Sequence, residues 1–206
     1  MISRNPLRRA AGLGAAALVL TAGLAPAAHA GTYRHADATG DVRVSSQNVG
    51  GGSFSDEGTQ PGVIEGDITT LTVQHTRDGV KVATGLRAVP PLSHSWQARI
   101  VTSRGTNVYD LRRIVRDSGT TVELRRNGRL VSCDGIRVVP TSSGIFGFVP
   151  RACLGTPYKV RAGVVVNALL ADDSSDDTYT RGRDDALRVG NATIGRPTLG
   201  SWTTAR

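Results

Sequence analysis

Apolar and polar residues alternate with a period of two through much of the chain that follows residue 67. The alternation begins with Ile68, Leu71 and Val73, which lie among threonines. An Asp-Gly pair at positions 78–79 separates this run from the next one, residues 80–86, and such a pair is typical of the tight turn of a hairpin. The pattern therefore predicts an antiparallel β-hairpin over residues 68–86.

The same pattern continues toward the C-terminus. Turn-forming residues recur about every 8 to 12 positions, which is typical of a β-sandwich or barrel. The further alternating runs are residues 96–102, 108–115, 121–124, 130–131, 136–139 and 145–149. No window of comparable length in residues 31–206 has a convincing helical period of 3.6. The sequence thus predicts an all-β fold.

Three segments depart from this alternation. Residues 158–170 form a long apolar run with three consecutive valines at 164–166, which predicts a central strand buried on both faces. Residues 31–67 predict a short strand near 42–44 and a loop rich in glycine and serine. Residues 172–190 are rich in aspartate and predict a loop, and the tail from 191 to 206 predicts an edge strand or a frayed end.

The first 30 residues have the three parts of a secretory signal peptide. Arg4, Arg8 and Arg9 precede an apolar stretch at residues 10–25, and Ala28-His29-Ala30 matches a cleavage site. A retained membrane anchor is the alternative, but glycines and Pro26 interrupt the stretch, which is shorter than the ~20 residues that span a bilayer. We expect a secreted, extracellular protein without a transmembrane segment in its mature form.

Cleavage before Gly31 leaves 176 of the 206 residues, a length that suits one domain and one core. We therefore predict a single domain over residues 31–206, with a C-terminal tail that is flexible or forms an edge strand, and we expect a monomer. Its two cysteines, Cys133 and Cys153, are not spaced as a redox or metal motif. In an oxidising compartment they predict a disulfide.

The formal net charge of +8 becomes +5 when the three arginines of the signal peptide are subtracted. Such an excess favours an anionic partner, although an arginine-rich composition is also typical of GC-rich genomes. Three Phe, four Tyr and two Trp offer few platforms for stacked bases. We do not expect a nucleic-acid partner.

No catalytic signature is visible. His35, His75 and His94 are the histidines of the mature chain, and none lies in a motif that couples it to a nucleophile or a metal. The alternation places His75 on the solvent-facing side of its strand. We predict no catalytic residues, and the disulfide removes thiol chemistry.

Aspartates concentrate in two loop regions and suggest a calcium site. Calcium takes six to eight oxygen ligands, which acidic loops supply without a helical scaffold. The predicted ligands are Asp37, Asp41, Asp67, Asp172, Asp173, Asp176 and Asp177. Neither region matches an EF-hand loop, and solvated aspartates paired with nearby arginines are the alternative.

Six arginines lie in one predicted hairpin region. Neighbouring strands could bring several of them to one face, where they would bind an acidic polysaccharide, teichoic acid or anionic lipid. They are Arg112, Arg113, Arg116, Arg125, Arg126 and Arg129. The alternative is an ordinary solvated strand face.

Short motifs resemble a known group of proteins. Asp37, Gly40, Asp41 and Val42 form a DxxGDV motif, a GDI strand start follows at residues 66–68, and VPRACLG occupies residues 149–155. In these motifs the chain resembles secreted actinobacterial β-sandwich domains of the DOMON-like group, which includes carbohydrate-binding module family nine. The resemblance implies a jelly-roll-like antiparallel β-sandwich, structural calcium and sugar ligands bound by aromatic residues.

The sequence taken as a whole favours a secreted, non-catalytic binding or envelope-associated module. Its expected ligand is a cell-wall or extracellular polysaccharide or another anionic polymer, and calcium is the expected ion. Two alternatives stay open: a hydrolase with an unrecognised site, and an inhibitor-like protein that presents a loop. The loop candidate is residues 141–144, inside the disulfide.

Overall fold

The computed structural model describes residues 31–48, 52–173, 178–188 and 196–205. The predicted signal peptide, residues 1–30, lies outside them. The strands are β1 (Thr32–Ala36), β2 (Arg43–Asn48), β3 (Ser55–Thr59), β4 (Ile68–His75), β5 (Gly79–Leu86), β6 (His94–Thr102), β7 (Val108–Arg116), β8 (Gly119–Arg126), β9 (Arg129–Val131), β10 (Arg137–Thr141), β11 (Gly144–Pro150), β12 (Lys159–Asp173), β13 (Thr178–Asp185) and β14 (Thr203–Thr204). A 3₁₀ turn, Arg151–Leu154, follows β11. Within the described ranges, no helix is long and apolar enough to cross a membrane.

The strands form two antiparallel sheets. The smaller sheet has the order β1-β4-β5-β11-β10, and the larger has the order β3-β2-β13-β12-β6-β7-β8-β9, with β14 also paired to β12. The chain changes sheet five times, between β1 and β2, β3 and β4, β5 and β6, β9 and β10, and β11 and β12. The predicted antiparallel β-sandwich is confirmed, and the predicted hairpin over residues 68–86 is the β4–β5 pair.

The core lies between the two sheets and collects the inward positions of the alternating runs. Leu71, Val82 and Ile145 come from the smaller sheet, and Trp96 and Leu111 come from the larger one. Each such side chain, when fully buried, contributes about 1.5–3 kcal/mol. The indole nitrogen of Trp96 donates a 2.9 Å hydrogen bond to a threonine hydroxyl of β5, so its polar atom is satisfied in the core.

Strand β12 is the centre of the larger sheet. It pairs with β6 on one side, and with β13 and β14 on the other. Val164, Val165 and Val166 are at most 1% exposed, which confirms the predicted burial on both faces. At Gly163 the backbone oxygen of Thr198 lies 1.6 Å from where a Cβ would be, so the C-terminal segment passes directly over the strand.

The disulfide lies at one end of the sandwich. Cys133 and Cys153 are bonded, with their Cα atoms 5.9 Å apart and a sequence separation of 20. The loop that they close contains the β10–β11 hairpin and the 3₁₀ turn. The predicted pairing of the two cysteines is confirmed.

Two predictions about acidic or polar segments are wrong. Residues 178–185, predicted as a loop, form β13, and residues 55–59, within another predicted loop, form β3. Both strands contain few apolar residues, so no alternation of apolar and polar positions indicated a strand that faces the core. Strand β13 forms because it fills the place between β2 and β12, where its backbone is paired on both sides.

The C-terminal residues 196–205 lie against both sheets. The amide of Gly200 donates to the carbonyl of Ala162 at 2.9 Å, and Thr203 pairs with Val160 in the larger sheet. The ring of Tyr33, from the smaller sheet, lies 2.4 Å from where a Cβ of Gly200 would be. This part of the predicted tail therefore contacts both layers, and only Thr203–Thr204 within it form a strand, the edge strand β14.

Candidate functional site

Three buried aspartates meet at the end of the sandwich opposite to the disulfide. Asp41, Asp67 and Asp184 are 8%, 0% and 1% exposed. One carboxylate oxygen of each lies within 4.8 Å of the corresponding oxygens of the other two. Two ligands of one calcium ion, each 2.3–2.6 Å from the metal, are separated by at most about 5 Å. The three carboxylates therefore have the spacing of a calcium ligand set.

The cluster joins three distant parts of the chain. Asp41 ends the loop between β1 and β2, Asp67 directly precedes β4, and Asp184 lies near the end of β13. Asp67 is brought close by Gly66, where φ is +77° and a Cβ would come within 3.0 Å of Val166. A residue without a side chain is thus required at the position before the carboxylate.

Hydrogen bonds hold the carboxylates in place. Asp67 accepts 2.8 Å bonds at Oδ2 from the amide of Gly40 and from Nη1 of Arg87. Asp184 accepts a 2.6 Å bond from the amide of Ile68. By contrast Oδ1 of Asp67 is buried and has no hydrogen-bond partner among the described residues. A fully buried carboxylate oxygen of this kind is rare unless a cation or a proton satisfies it.

Asp37 lies at the border of the cluster. Its Oδ1 accepts a 2.9 Å bond from the amide of Ala38, and its Oδ2 is buried without a partner among the described residues. Burial raises the pKa of Asp37 to about 7, against the hydrogen bond from Ala38, and the charges of Asp41, Asp185 and Asp67 raise it further. A fourth carboxylate with an unused oxygen thus lies near enough to the cluster to interact with it electrostatically.

Asp184 is more strongly perturbed. Burial raises its pKa to about 8, the hydrogen bond from Ile68 opposes this rise, and the negative charges of Asp41, Asp37 and Asp67 add to it. Arg87, whose side chain is one-third exposed, forms an ion pair with Asp67 of the cluster. Carboxylates buried this close together repel one another when ionised, and a bound divalent cation or protons would relieve this repulsion.

The predicted metal ligands divide into two groups. Asp41 and Asp67 come together, with Asp37 at their border, and they are joined by Asp184, which was not predicted from the sequence. Gly182 and Asp184 are buried positions two residues apart in β13, a strand of mostly polar residues. This spacing indicates a buried face only after the segment is recognised as a strand, so Asp184 was not predicted from the sequence.

The second predicted group is remote from this cluster. Asp173 pairs with Thr178, at the end of β13 that is remote from Asp184. Thr178 and Asp184 are six residues apart in this strand, which corresponds to about 20 Å. Asp176 and Asp177 lie outside the described residues, as do the side chains of Asp172 and Asp173. The two acidic loops do not form one site through their described positions.

The six predicted arginines are distributed over two sides of the larger sheet. Arg112 and Arg125 lie on its outer side and both approach Glu123, at 3.8 Å and 2.7 Å. The alternation of β7 places Arg116 on the same side as Arg112. Arg113, Arg126 and Arg129 have the opposite parity. The six side chains therefore do not form one continuous basic surface.

A different surface combines cations with exposed aromatic rings. It consists of Tyr158, Lys159, Arg161 and Trp202, at the start of β12 and just before β14, and we call it the cation–aromatic surface. The guanidinium carbon of Arg161 lies 4.9 Å from the centre of the Trp202 ring, and the Lys159 nitrogen lies 5.7 Å from that of Tyr158. Both rings are large and solvent-accessible, with Tyr158 62% and Trp202 45% exposed.

The histidines do not form a catalytic group. His75 is 1% exposed, so the prediction that it faces solvent is wrong; its Nδ1 lies 3.4 Å from the carbonyl of Thr203, and burial lowers its pKa. His94, in the other sheet, contacts Arg113. In the described part of the chain no histidine is ion-paired with a carboxylate. The arrangement gives no support to a hydrolase built on these residues.

The proposed inhibitory loop is a tight turn. Strands β10 and β11 pair as far as Thr141 and Gly144, which leaves two residues between them. The carbonyl of Ser143 accepts a 2.9 Å hydrogen bond from the amide of Leu86. This segment is therefore not the extended loop that an inhibitor of that type would present.

Comparison of the chain with models of known protein families, with curated proteins and with solved structures gives no significant match.

Proposed function

We propose that this protein is a secreted, non-catalytic binding module in which a calcium ion stabilises one end of the β-sandwich, and which recognises a carbohydrate or another anionic polymer outside the cell. The observation that carries the calcium part is the Oδ1 atom of Asp67. This oxygen is fully buried and lacks a donor among the described residues, and it belongs to a carboxylate that lies beside those of Asp41 and Asp184.

The donor set determines the class of ion. Carboxylate oxygens are hard ligands, and the described cluster contains no sulfur or imidazole ligand. Calcium accepts irregular sets of six to eight oxygens, whereas magnesium requires a near-ideal octahedron and keeps several waters. Carboxylates from two loops and a strand, with bonds to backbone amides, suit the more tolerant ion.

The position of the cluster gives the ion a structural role. Asp67 directly precedes β4 of the smaller sheet, whereas Asp184 belongs to β13 of the larger sheet. An ion held by both connects the two layers and fixes the β1–β2 loop through Asp41. It also offsets repulsion between buried carboxylates, an energy of several kcal/mol when no counter-charge is present.

Calcium binding is tested on the full chain, exported with its own N-terminus and recovered from the medium. After treatment with a chelator, calorimetric titration with calcium chloride should show one tight site, and magnesium chloride should bind more weakly. At a calcium concentration of 100 times Kd the gain in stability is about 2.7 kcal/mol, visible as a higher melting temperature.

A matched pair of variants locates the ion. Asp184→Asn removes one charge of the cluster while its amide oxygen still accepts from Ile68. Asp117→Asn makes the same change at an exposed turn. We expect the first variant to weaken calcium binding at least tenfold and the second to bind as wild type. An absence of binding heat, together with identical melting curves in calcium and in chelator, would refute the calcium part of the proposal.

A further inference from the structure

We infer that the cation–aromatic surface, formed by Tyr158, Lys159, Arg161 and Trp202, is the ligand-binding site of this module and that its ligand is an acidic polysaccharide. The inference rests on the proposed function, because it assumes a binding module that meets extracellular polymers. It adds which surface binds and which group of the polymer is recognised. The recognised group is a carboxylate or a sulfate on a sugar ring.

The two cations of this surface lack acidic partners, in contrast to several arginines of the larger sheet. Arg99, Arg43 and Arg125 each form an ion pair with Asp110, Asp56 and Glu123, respectively. In the described ranges neither Lys159 nor Arg161 has a carboxylate within ion-pairing distance, and the charged group of each lies over an aromatic ring. Two cations without acidic partners are complementary to an anionic ligand.

Strand geometry places the two cations side by side. Lys159 and Arg161 are two positions apart in β12 and therefore project to the same side of the sheet. Their anionic partners would be separated by roughly 7 Å along the strand. A guanidinium binds a carboxylate or sulfate through two parallel hydrogen bonds, which a lysine ammonium does not. Arg161 would thus determine the orientation of the anionic group.

The rings supply the second element of sugar recognition. A pyranose ring has an apolar face of C–H groups, which packs on an aromatic ring while its hydroxyls stay in water. Trp202 and Tyr158 bring large apolar rings of this kind to the surface, each beside a cation. A polymer of acidic sugars offers the apolar face and the negative charge together.

The surface is held in place before a ligand binds. The amide of Ala205 donates to the carbonyl of Tyr158 at 3.1 Å, and the hydroxyl of Thr203 donates to the carbonyl of Val160 at 3.1 Å. These bonds attach the backbone that follows Trp202, and the bond from the amide of Gly200 to the carbonyl of Ala162 attaches the backbone that precedes it. Little conformational entropy then remains to be lost on binding, which favours affinity.

The test uses the full chain and hyaluronan, a polymer with one carboxylate per disaccharide. Its uncharged, carboxyl-amidated derivative and a single-stranded DNA oligonucleotide serve as comparison ligands. We expect hyaluronan to bind, with an affinity that falls as salt is raised, and we expect the amidated polymer to bind at least tenfold more weakly. Failure of the wild-type chain to bind hyaluronan, or tighter binding of DNA, overturns the inference.

Two variants with matched controls locate the surface. Trp202→Ala and Arg161→Gln should each lower the affinity for hyaluronan at least tenfold. Leu130→Ala and Arg116→Gln change an exposed apolar residue and an exposed arginine elsewhere and should leave it within twofold. Equal affinities of all four variants overturn the inference, as does an equal loss in the controls.

Calcium titration of the same preparations separates this result from the proposed calcium role. A variant that binds calcium as wild type is folded, so its loss of hyaluronan affinity comes from the surface. Binding of hyaluronan without binding of calcium supports the proposed ligand site and refutes the proposed calcium site. Binding of calcium without binding of hyaluronan supports the proposed calcium site and refutes the proposed ligand site.

Discussion

Asp184 accepts a 2.6 Å hydrogen bond from the backbone amide of Ile68, a residue 116 positions earlier in the chain. Ile68 begins β4 of the smaller sheet, and Asp184 lies in β13 of the larger one. The bond therefore connects the two layers of the sandwich at the carboxylate cluster. Because Asp184 is also surrounded by Asp41, Asp37 and Asp67, the charge that strengthens this bond is disfavoured by its neighbours.

This conflict predicts an unusual dependence of stability on pH. The pKa values of Asp37 and Asp184 are raised to about 7 and about 8 in the folded protein, from 3.8 without these effects. Between about pH 4 and pH 8 the folded state thus binds more protons than the unfolded state. With a chelator present, the free energy of unfolding contributed by these two groups should fall as the pH rises through this window, as measured by urea unfolding.

The Asp184→Asn variant isolates this contribution. Asp56 and Glu123 have lowered pKa values and contribute in the opposite direction, since their stabilisation is lost as the pH falls. The difference between wild type and Asp184→Asn cancels their effect. Relative to wild type, the variant should gain stability as the pH rises from about 4 to 8 in chelator. A difference that is constant with pH would contradict the raised pKa of Asp184.

Gly163 is expected to be essential for the docking of the C-terminal segment. A Cβ there would lie 1.6 Å from the carbonyl oxygen of Thr198, so Gly163→Ala must displace that backbone. We expect a loss of about 1–3 kcal/mol, in the range of overpacked positions, together with weaker hyaluronan binding, because Trp202 follows in the displaced segment. Urea unfolding and calorimetry measure the two effects.

Gly62→Ala is the matched control for this substitution. Gly62 has nothing within 4 Å of its Cβ position and no positive φ. This variant should therefore keep the stability and the affinity of wild type. Equal stability of Gly163→Ala and wild type would show that the C-terminal segment does not rest on β12.

The disulfide should contribute stability without affecting the ion. Closing a loop over 20 positions of sequence stabilises a fold by about 3 kcal/mol in the loop-entropy model. The double variant Cys133→Ala/Cys153→Ala should lose about this amount in urea unfolding. Its calcium affinity should not change, because Asp67 and the disulfide lie at opposite ends of the sandwich. A loss of calcium binding in a folded double variant would contradict this separation.

The β-sandwich could be recognised from the sequence because its core strands have strong alternation. Trp96 and Ile100 face the core from β6, and Leu71 and Val73 face it from β4, at the spacing that a two-residue period requires. Turn residues such as Asp78-Gly79 separate the runs. These signals are local, so one sequence contains them.

Strand β13 and its role could not be recognised in this way. Its residues are mostly polar, because β13 is stabilised by backbone pairing with β2 and β12 rather than by apolar side chains. The same is true of the cation–aromatic surface, where Trp202 meets Arg161 only through the pairing of β14 with β12. Both features depend on which strands become neighbours.

The sequence by itself determined the class of fold, the pairing of Cys133 with Cys153 and the acidic character of the loops around Asp37 and Asp67. Periodicity and residue type are sufficient for these, since each concerns nearby residues or the only two cysteines. The tertiary structure decided that Asp184 joins the carboxylate cluster and that the basic residues separate into paired and unpaired ones. Contacts between residues more than 100 positions apart depend on strand order, which local patterns do not specify.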